Sequence, residues 1–157
     1  LWSGEPVDHD GEHFQLAGAQ QRPVPTRPIP ITIGGVGRRT LALVREHADW
    51  WNVPIHQLDR VDELRDQAGD ARLSVQTMVA FAPDAATLDD VEATARRRFA
   101  GTQMGERLVA GTADELAAHF AEQHAGGVDR FYVWFADFAP VDTIAGFGAV
   151  VAALAAR

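Results

Sequence analysis

Hydrophobic residues along this chain alternate between the spacing of strands and the spacing of helices. Isoleucines at 29, 31 and 33 occupy every second position and predict a strand, while Leu41, Val44 and Ala48 recur at helical spacing and predict a helix over 38–48. The same succession of strand and helix recurs three more times, and one of these strands is followed by two helices. The further predicted strands are 49–53, 73–81 and 131–135, and the further helices are 56–68, 87–100, 112–126 and a terminal helix opened by Pro140.

Four successive strand–helix units are typical of a parallel sheet with helices packed on it, so the fold class is predicted to be α/β. Thr87–Asp90 and Thr112–Glu115 each have the pattern of a capping box at a helix start. Residues 1–28 lack a sustained period. The Asp10–Gly11 pair predicts a hairpin there, and a proline-rich connector follows. We therefore expect one domain over 1–157, with the hairpin and connector at 1–28 and the β/α units at 29–157.

Composition excludes several classes of function. The net charge is −8, which argues against nucleic acid or an anionic membrane surface as the main partner. The chain has no cysteine, which excludes disulfides and thiolate catalysis and favours the cytoplasm, and it has no lysine, which excludes Schiff-base chemistry. No stretch approaches the roughly 18 apolar residues that a membrane span needs.

A glycine-rich loop joins the first predicted β/α pair and is the strongest candidate for a binding site. Strand 29–33 runs into Gly34, Gly35, Val36 and Gly37, and the helix then begins at Arg38. Backbone N–H groups at a helix N-terminus bind phosphate, and glycines allow close approach. The loop is neither a dinucleotide fingerprint, because Thr40 replaces the third glycine, nor a P-loop, because no Gly-Lys follows.

Other residues give weaker signals. The six histidines lack the spacing of a metal site, and we expect no metal. Arginines 96–98 are most simply a solvated helix face. Asp137 follows the last strand, where it would serve either the active site of a barrel or the cap of the terminal helix. Trp51 or Asn52 would face the site, whereas Trp50 is more simply a packing residue. No catalytic residue is identified.

Several segments together make the chain resemble the bacterial luciferase-like monooxygenases, which are flavin- or deazaflavin-dependent oxidoreductases on a TIM barrel. The resemblance covers nearly the whole chain. The segments that carry it are Gly11–Phe14, Pro25–Gly37, Ala48–Asn52, Gly111–Leu116 and Gly127–Phe131. Tryptophan at position 50, where the family more often has glycine, departs from the family pattern.

The resemblance implies that the four units correspond to units five to eight, the second half of a (β/α)8 barrel, which typically needs about 250 residues. It implies that the loop Gly34–Arg38 binds the phosphate of FMN or of the deazaflavin coenzyme F420. The chemistry would be monooxygenation of a small organic substrate or hydride transfer. The catalytic residues would lie in the N-terminal half, so this chain alone would be inactive.

A half-barrel leaves two sheet edges open, so the chain is expected to form a homo-oligomer or to associate with the N-terminal half-barrel. The alternative hypothesis is a truncated, non-catalytic half-barrel that dimerises or docks with a partner half. A different phosphate-binding barrel, such as an aldolase, is a weaker possibility because the chain has no lysine.

Overall fold

The predicted N-terminal hairpin is present in a computed structural model, which describes residues 1–156. Strand β1 (Val7–Asp10) pairs antiparallel with β2 (Gln15–Ala19). This hairpin belongs to a compact unit of its own, Leu1–Pro30, and a second unit begins at Ile31. All the features of the sheet and helices described below lie in the second unit.

The second unit contains a five-stranded sheet in which every pairing is parallel. Its strands are β3 (Thr32–Gly34), β4 (Trp50–Val53), β5 (Arg72–Phe81), β6 (Val109–Gly111) and β7 (Arg130–Phe135). The long strand β5 is central. Val75 pairs with both β4 and β7, and Val79 pairs with both β6 and β7, so β4 and β6 follow one another along one edge of β5 while β7 occupies the opposite edge.

Within residues 31–156, six α-helices connect or follow these strands. They are α1 (Arg38–His47), α2 (Val61–Ala68), α3 (Leu88–Arg98), α4 (Gln103–Glu106), α5 (Ala113–Ala125) and α6 (Val141–Ala155). A 3-10 segment, Ile55–Arg60, precedes α2. The prediction of an α/β chain with a parallel sheet is therefore confirmed.

Alternation along β5 distributes its side chains between two faces. Leu73 and Val75 pack in a buried cluster with residues of α1 and α2, and Val79 packs in another with residues of α5 and α6. Met78 and Ala80 point to the opposite face and pack in a third cluster with residues of α3 and the 3-10 segment. Four helices thus cover one face, whereas α3 covers the other face near the carboxyl end of β5.

The start of β3, the type of the helix predicted over 56–68 and the presence of two short elements differ from the prediction. Strand β3 begins at Thr32 rather than at Ile29, because Pro28 and Pro30 have no N–H to donate to a ladder. The predicted helix 56–68 consists of a 3-10 turn followed by a short α-helix. Strand β6 and helix α4 were not predicted, because three or four residues are too few to show a hydrophobic period.

The two predicted capping boxes have different outcomes. At the start of α5, Thr112 and Glu115 bond reciprocally, as predicted. At the start of α3 the prediction is wrong, because Thr87 makes no side-chain cap bond. The N–H and hydroxyl of Thr87 donate instead to the Oδ1 of Asp84, at 2.9 and 3.1 Å, so a turn that precedes the helix uses the hydroxyl.

Candidate functional site

The glycine loop lies at the carboxyl end of β3, where it leads into α1. Gly37 is the residue before the helix, with extended dihedral angles, and no side chain caps it. The first turn of α1 contains no acidic residue. The N–H groups of the first helical residues, Arg38 to Thr40, therefore have no partner from the cap, and the positive end of the helix dipole lies beside them.

Gly35 sets the shape of this loop. Its φ of 123° lies in a region that other residues rarely adopt, and a Cβ there would lie 3.3 Å from the Cγ2 of Thr40. Its N–H donates to the carbonyl oxygen of Asn52 at 3.1 Å. Its own carbonyl accepts a bond from the Nε1 of Trp51 at 2.8 Å. Gly35 is thus anchored to β4 on both sides, and the N–H groups open to a ligand are those that follow it.

Strand β4 sends its side chains to opposite faces. Trp51 is fully buried in the cluster beneath α1 and α2, so of the two residues predicted to face the site, Trp51 does not. Asn52 points the other way and is half-buried, and its Nδ2 donates to the hydroxyl of Ser74 at 3.1 Å. That hydroxyl, fully buried, donates to the carbonyl of Trp51 at 3.2 Å.

Gly34 leaves the amide of Asn52 accessible from the site. A Cβ on Gly34 would lie 3.8 Å from the Oδ1 of Asn52. Because the Nδ2 of Asn52 donates to Ser74, its Oδ1 is the atom that remains to accept a bond from a ligand. The structure therefore places an oriented hydrogen-bond acceptor next to the glycine loop, on the face of the sheet away from α1.

A cluster of aromatic and basic side chains occupies the same face nearer the start of the strands. Trp50 is buried, as expected of a packing residue, but its ring packs against the guanidinium groups of Arg130 and Arg72, at 3.5 and 4.4 Å from the ring centre. The Nη1 of Arg130 also donates to the hydroxyl of Tyr132 at 3.3 Å. Hydrogen bonds from Arg130 and from Thr32 lower the pKa of Tyr132.

Asp137, for which the sequence left two roles open, holds the turn before α6. Its Oδ1 accepts the N–H of Ala139 at 3.1 Å, and its Oδ2 accepts the hydroxyl of Thr143 at 2.5 Å. Phe138 and Ala139 have positive φ values of 66° and 57°. Both oxygens of Asp137 therefore stabilise a turn in which two consecutive residues adopt a left-handed conformation.

The arginines at 96–98 are all exposed, as predicted for a solvated helix face, but their contacts differ. Arg96 pairs with Glu92 on its own helix, and Arg97 donates to Thr94. Arg98 points elsewhere: its Nη1 donates to the carbonyl of Ala136 at 2.6 Å, and it lines a cavity at the carboxyl ends of β5 and β7. Sequence analysis missed this cavity, since nothing in the local pattern separates Arg98 from its two neighbours.

Residues 1–156 contain neither a candidate metal site nor a candidate membrane-spanning helix. No group of three or more histidine, aspartate or glutamate side chains is arranged to hold a metal ion in this part of the chain. Within the same residues, no helix combines the length and the apolar character needed to cross a membrane.

Comparison with known proteins gives a family match and a set of similar structures. The model of the luciferase-like monooxygenase family matches residues 1–126. Among curated proteins no match was found. An F420-dependent secondary alcohol dehydrogenase, solved with an F420-acetone adduct, has a TM-score of 0.67 at 15% identity, and the alignment covers 96% of this chain and 56% of that chain.

Two further solved structures show the same relationship. EDTA monooxygenase from Chelativorans sp. BNC1 has a TM-score of 0.75 at 15% identity, with 98% of this chain and 51% of that chain covered. Coenzyme F420-dependent tetrahydromethanopterin reductase from Methanopyrus kandleri has a TM-score of 0.62 at 17% identity, with 95% and 57% covered. The chain thus spans little more than half the length of each of these three proteins.

Proposed function

The chain belongs to the luciferase-like monooxygenase family, and from that premise we propose that it forms part of an oxidoreductase whose glycine loop binds the phosphate of FMN or coenzyme F420. The observation that carries the proposal is the uncapped N-terminus of α1 behind a loop anchored at Gly35. A phosphate placed there accepts bonds from the N–H groups of Arg38 to Thr40 and meets the positive end of the helix dipole.

The residues of the loop have distinct roles in this proposal. Gly34 keeps the approach open, Gly35 sets the turn, and Gly37 together with Val36 leads the backbone into α1. The guanidinium of Arg38 adds a charge-assisted bond to the phosphate. Arg38 is exposed and makes no ion pair within residues 1–156, so its charge is available to a ligand.

The sheet of this chain corresponds, in this proposal, to strands five to eight of an eight-stranded barrel, within a single functional domain that includes the N-terminal hairpin. Support comes from the order β3, β4, β5 and β7, in which four strands pair in the order of the chain. It also comes from the share of the similar structures that the chain covers, which is 51% to 57%. The first four strands and the cofactor-ring contacts belong to the other half.

The cofactor determines the type of chemistry. FMN would supply flavin redox chemistry and oxygen insertion, and F420 would supply hydride transfer to or from a small organic substrate. Two of the three similar structures are described as F420-dependent and one as a monooxygenase, so both chemistries stay in the proposal. Asn52 presents its Oδ1 beside the loop and would orient a donor group of the cofactor.

A titration with FMN, F420 and inorganic phosphate tests the proposal, with cofactor fluorescence and phosphorus NMR as readouts. The matched variants are Gly37→Asp and Gly37→Ala. Gly37 has a φ of −72°, and a Cβ there meets only the Oγ1 of Thr40 at 3.7 Å, so both variants are expected to fold. The Asp side chain caps the helix and repels phosphate.

We expect Gly37→Asp to weaken binding of all three ligands by about tenfold or more, and Gly37→Ala to leave it within about twofold. Equal affinities for the two variants would move the phosphate site elsewhere. If neither cofactor binds the wild-type chain below the millimolar range, the cofactor proposal fails.

The second candidate function is a non-catalytic half-barrel that pairs with another copy or with a partner half. The pairing of the sheet favours it, because β3 pairs only with β4 and β7 only with β5 within residues 1–156, which leaves two edges open. Tyr132 and Trp134 on β7 are also exposed, at 38% and 44%. A dimer by light scattering together with no cofactor binding would support this candidate over the first.

A further inference from the structure

The cavity at the carboxyl ends of β5 and β7 has a volume of about 430 Å³ and lies apart from the glycine loop in sequence and in lining. One face of α3 forms its wall, with residues spaced three and four positions apart from 87 to 98. Ala80, Val91, Ala95 and Ala136 give it an apolar interior. A cavity of this size, apolar with a few polar groups, is typical of a site for a small molecule.

Arg98 provides the cation of this cavity. Its Nη1 donates to the carbonyl of Ala136 at 2.6 Å, and its guanidinium lies 4.9 Å from the centre of the Phe138 ring. These two contacts fix the plane of the group and leave its other N–H donors unused. Arg98 makes no ion pair within residues 1–156, unlike Arg96, so its charge is not neutralised locally.

Two carboxylates also line the cavity, and neither forms an ion pair with Arg98 within residues 1–156. Both oxygens of Asp137 accept bonds from within its own turn, from Ala139 and Thr143. Asp90 precedes Arg98 by eight residues on α3, which places the two about 12 Å apart along the helix axis. The cavity therefore has the guanidinium of Arg98 and the hydrogen-bonded carboxylate of Asp137 toward one end, and the carboxylate of Asp90 at the other.

The turn beside Arg98 is strained. Phe138 and Ala139 both have left-handed backbone conformations, each of which costs about 1 kcal/mol or more for a residue other than glycine. This turn places Phe138 against Arg98, and strain of this kind concentrates at ligand sites. The strained turn is an observation independent of the cavity and of the charge.

We infer that this cavity binds a small organic molecule with an apolar body and a single terminal carboxylate, which pairs with the guanidinium of Arg98. The apolar body lies along Val91 and Ala95, where it is removed from water. The acid at the far end disfavours a second carboxylate on the ligand. Binding of this molecule does not depend on the proposed function. Its identification as the substrate of the oxidoreductase does.

Hexanoate, hexanamide and hexylamine are suitable probes because they share an alkyl chain and differ in charge. Their affinities for the whole chain are measured by NMR titration, for wild type, Arg98→Gln and the matched control Arg97→Gln. Arg97 lies one position away and donates to Thr94, which also lines the cavity, so Arg97→Gln alters the same wall without removing the guanidinium of Arg98. Circular dichroism checks that both variants fold.

We expect wild type to bind hexanoate about tenfold more tightly than hexanamide, and Arg98→Gln to remove that preference while Arg97→Gln keeps it. Equal binding of hexanoate and hexanamide to wild type would overturn the inference whatever the variants do. So would tighter binding of hexylamine, because Asp90 and Asp137 would then define the site. The FMN and F420 titrations test the phosphate site separately, so the two proposals fail independently.

Discussion

The indole Nε1 of Trp51 donates a hydrogen bond of 2.8 Å to the carbonyl oxygen of Gly35, sixteen residues earlier in the chain. The bond joins the fully buried side chain of β4 to the loop proposed to hold a phosphate. Because Gly35 also donates its N–H to Asn52, the loop is attached to the adjacent strand at two points. A rigid loop keeps the following N–H groups aligned, so that ligand binding does not have to order them at a cost in conformational entropy.

Trp51→Phe removes the donor and part of the buried volume while retaining an aromatic ring. We expect a loss of about 2 to 3 kcal/mol in the free energy of unfolding, measured by urea denaturation. We also expect faster amide hydrogen exchange at Gly35, whose N–H is protected by its bond to the carbonyl oxygen of Asn52. The control is Trp134→Phe, where the side chain is 44% exposed and the expected change is within about 0.5 kcal/mol. Equal losses in the two variants would contradict the proposed role of the bond.

Tyr132 is the only tyrosine of the chain, so the ultraviolet absorbance of its phenolate reports one group. Hydrogen bonds from Arg130 and then Thr32 place its pKa below the ordinary value of 10.0. Arg130→Gln should raise that pKa toward 10.0. Arg72→Gln should leave it unchanged, because Arg72 contacts the same Trp50 ring but is not among the groups that act on Tyr132.

The same titration has a consequence for stability. A group whose pKa is lowered by folding adds stability above its ordinary pKa, and this contribution is lost as the pH falls through the lowered value. The phenolate contribution of Tyr132 is therefore present near and above pH 10.0 and absent at neutral pH. If Arg130→Gln shows the same loss of stability at neutral and alkaline pH, the loss arises from packing against Trp50 alone.

Thr112→Ala tests the capping box of α5. The backbone N–H and the hydroxyl of Thr112 donate to the Oε2 of Glu115 at 2.9 and 2.8 Å, and these bonds lower the pKa of that carboxyl. We expect a loss of about 1 kcal/mol at pH 7. The part that comes from the carboxylate should diminish as the pH falls below 4.5, the ordinary pKa of Glu115.

Thr87→Ala is the comparison variant, because Thr87 has a similar sequence pattern but its hydroxyl bonds to Asp84 in the preceding turn and makes no cap bond. Urea denaturation of both variants at pH 7 and at pH 3 gives the comparison. If Thr87→Ala loses as much stability as Thr112→Ala, the reciprocal cap of α5 contributes no more stability than the bonds of Thr87 to the preceding turn.

Ala139→Gly should relieve the strain at the turn after β7. Ala139 has a φ of 57°, so glycine there is expected to raise the free energy of unfolding by about 1 kcal/mol. Ala93→Gly, at an exposed position within α3, should lower it by about the same amount. Thermal and urea denaturation should show changes of opposite sign in the free energy of unfolding of the two variants. A loss of stability in Ala139→Gly would show that Ala139 is not strained.

Residue spacing was sufficient to predict the strands around 75 and 132 and the helices α1, α5 and α6, because each is long enough to show its own period. The four-residue strand around 50 was predicted instead from a short run of mainly apolar residues ended by Pro54. It also located the glycine loop, since three glycines between a strand and a helix are a local signal. The short elements β6 and α4 and the start of β3 were not predictable in this way, since they depend on pairing with distant segments.

The amino-acid sequence alone predicts the order of strands and helices, the α/β class and the loop at residues 34–38. These follow from contacts between residues close together in the chain. Only the tertiary structure shows that Trp51 anchors Gly35 and that Asn52 faces the site. It likewise shows that Arg98 lines a cavity, whereas Arg96 bonds to Glu92 and to Gly105 of α4. Each of these depends on which way a side chain points and on what another strand or turn presents there, and only packing across the sheet supplies that information.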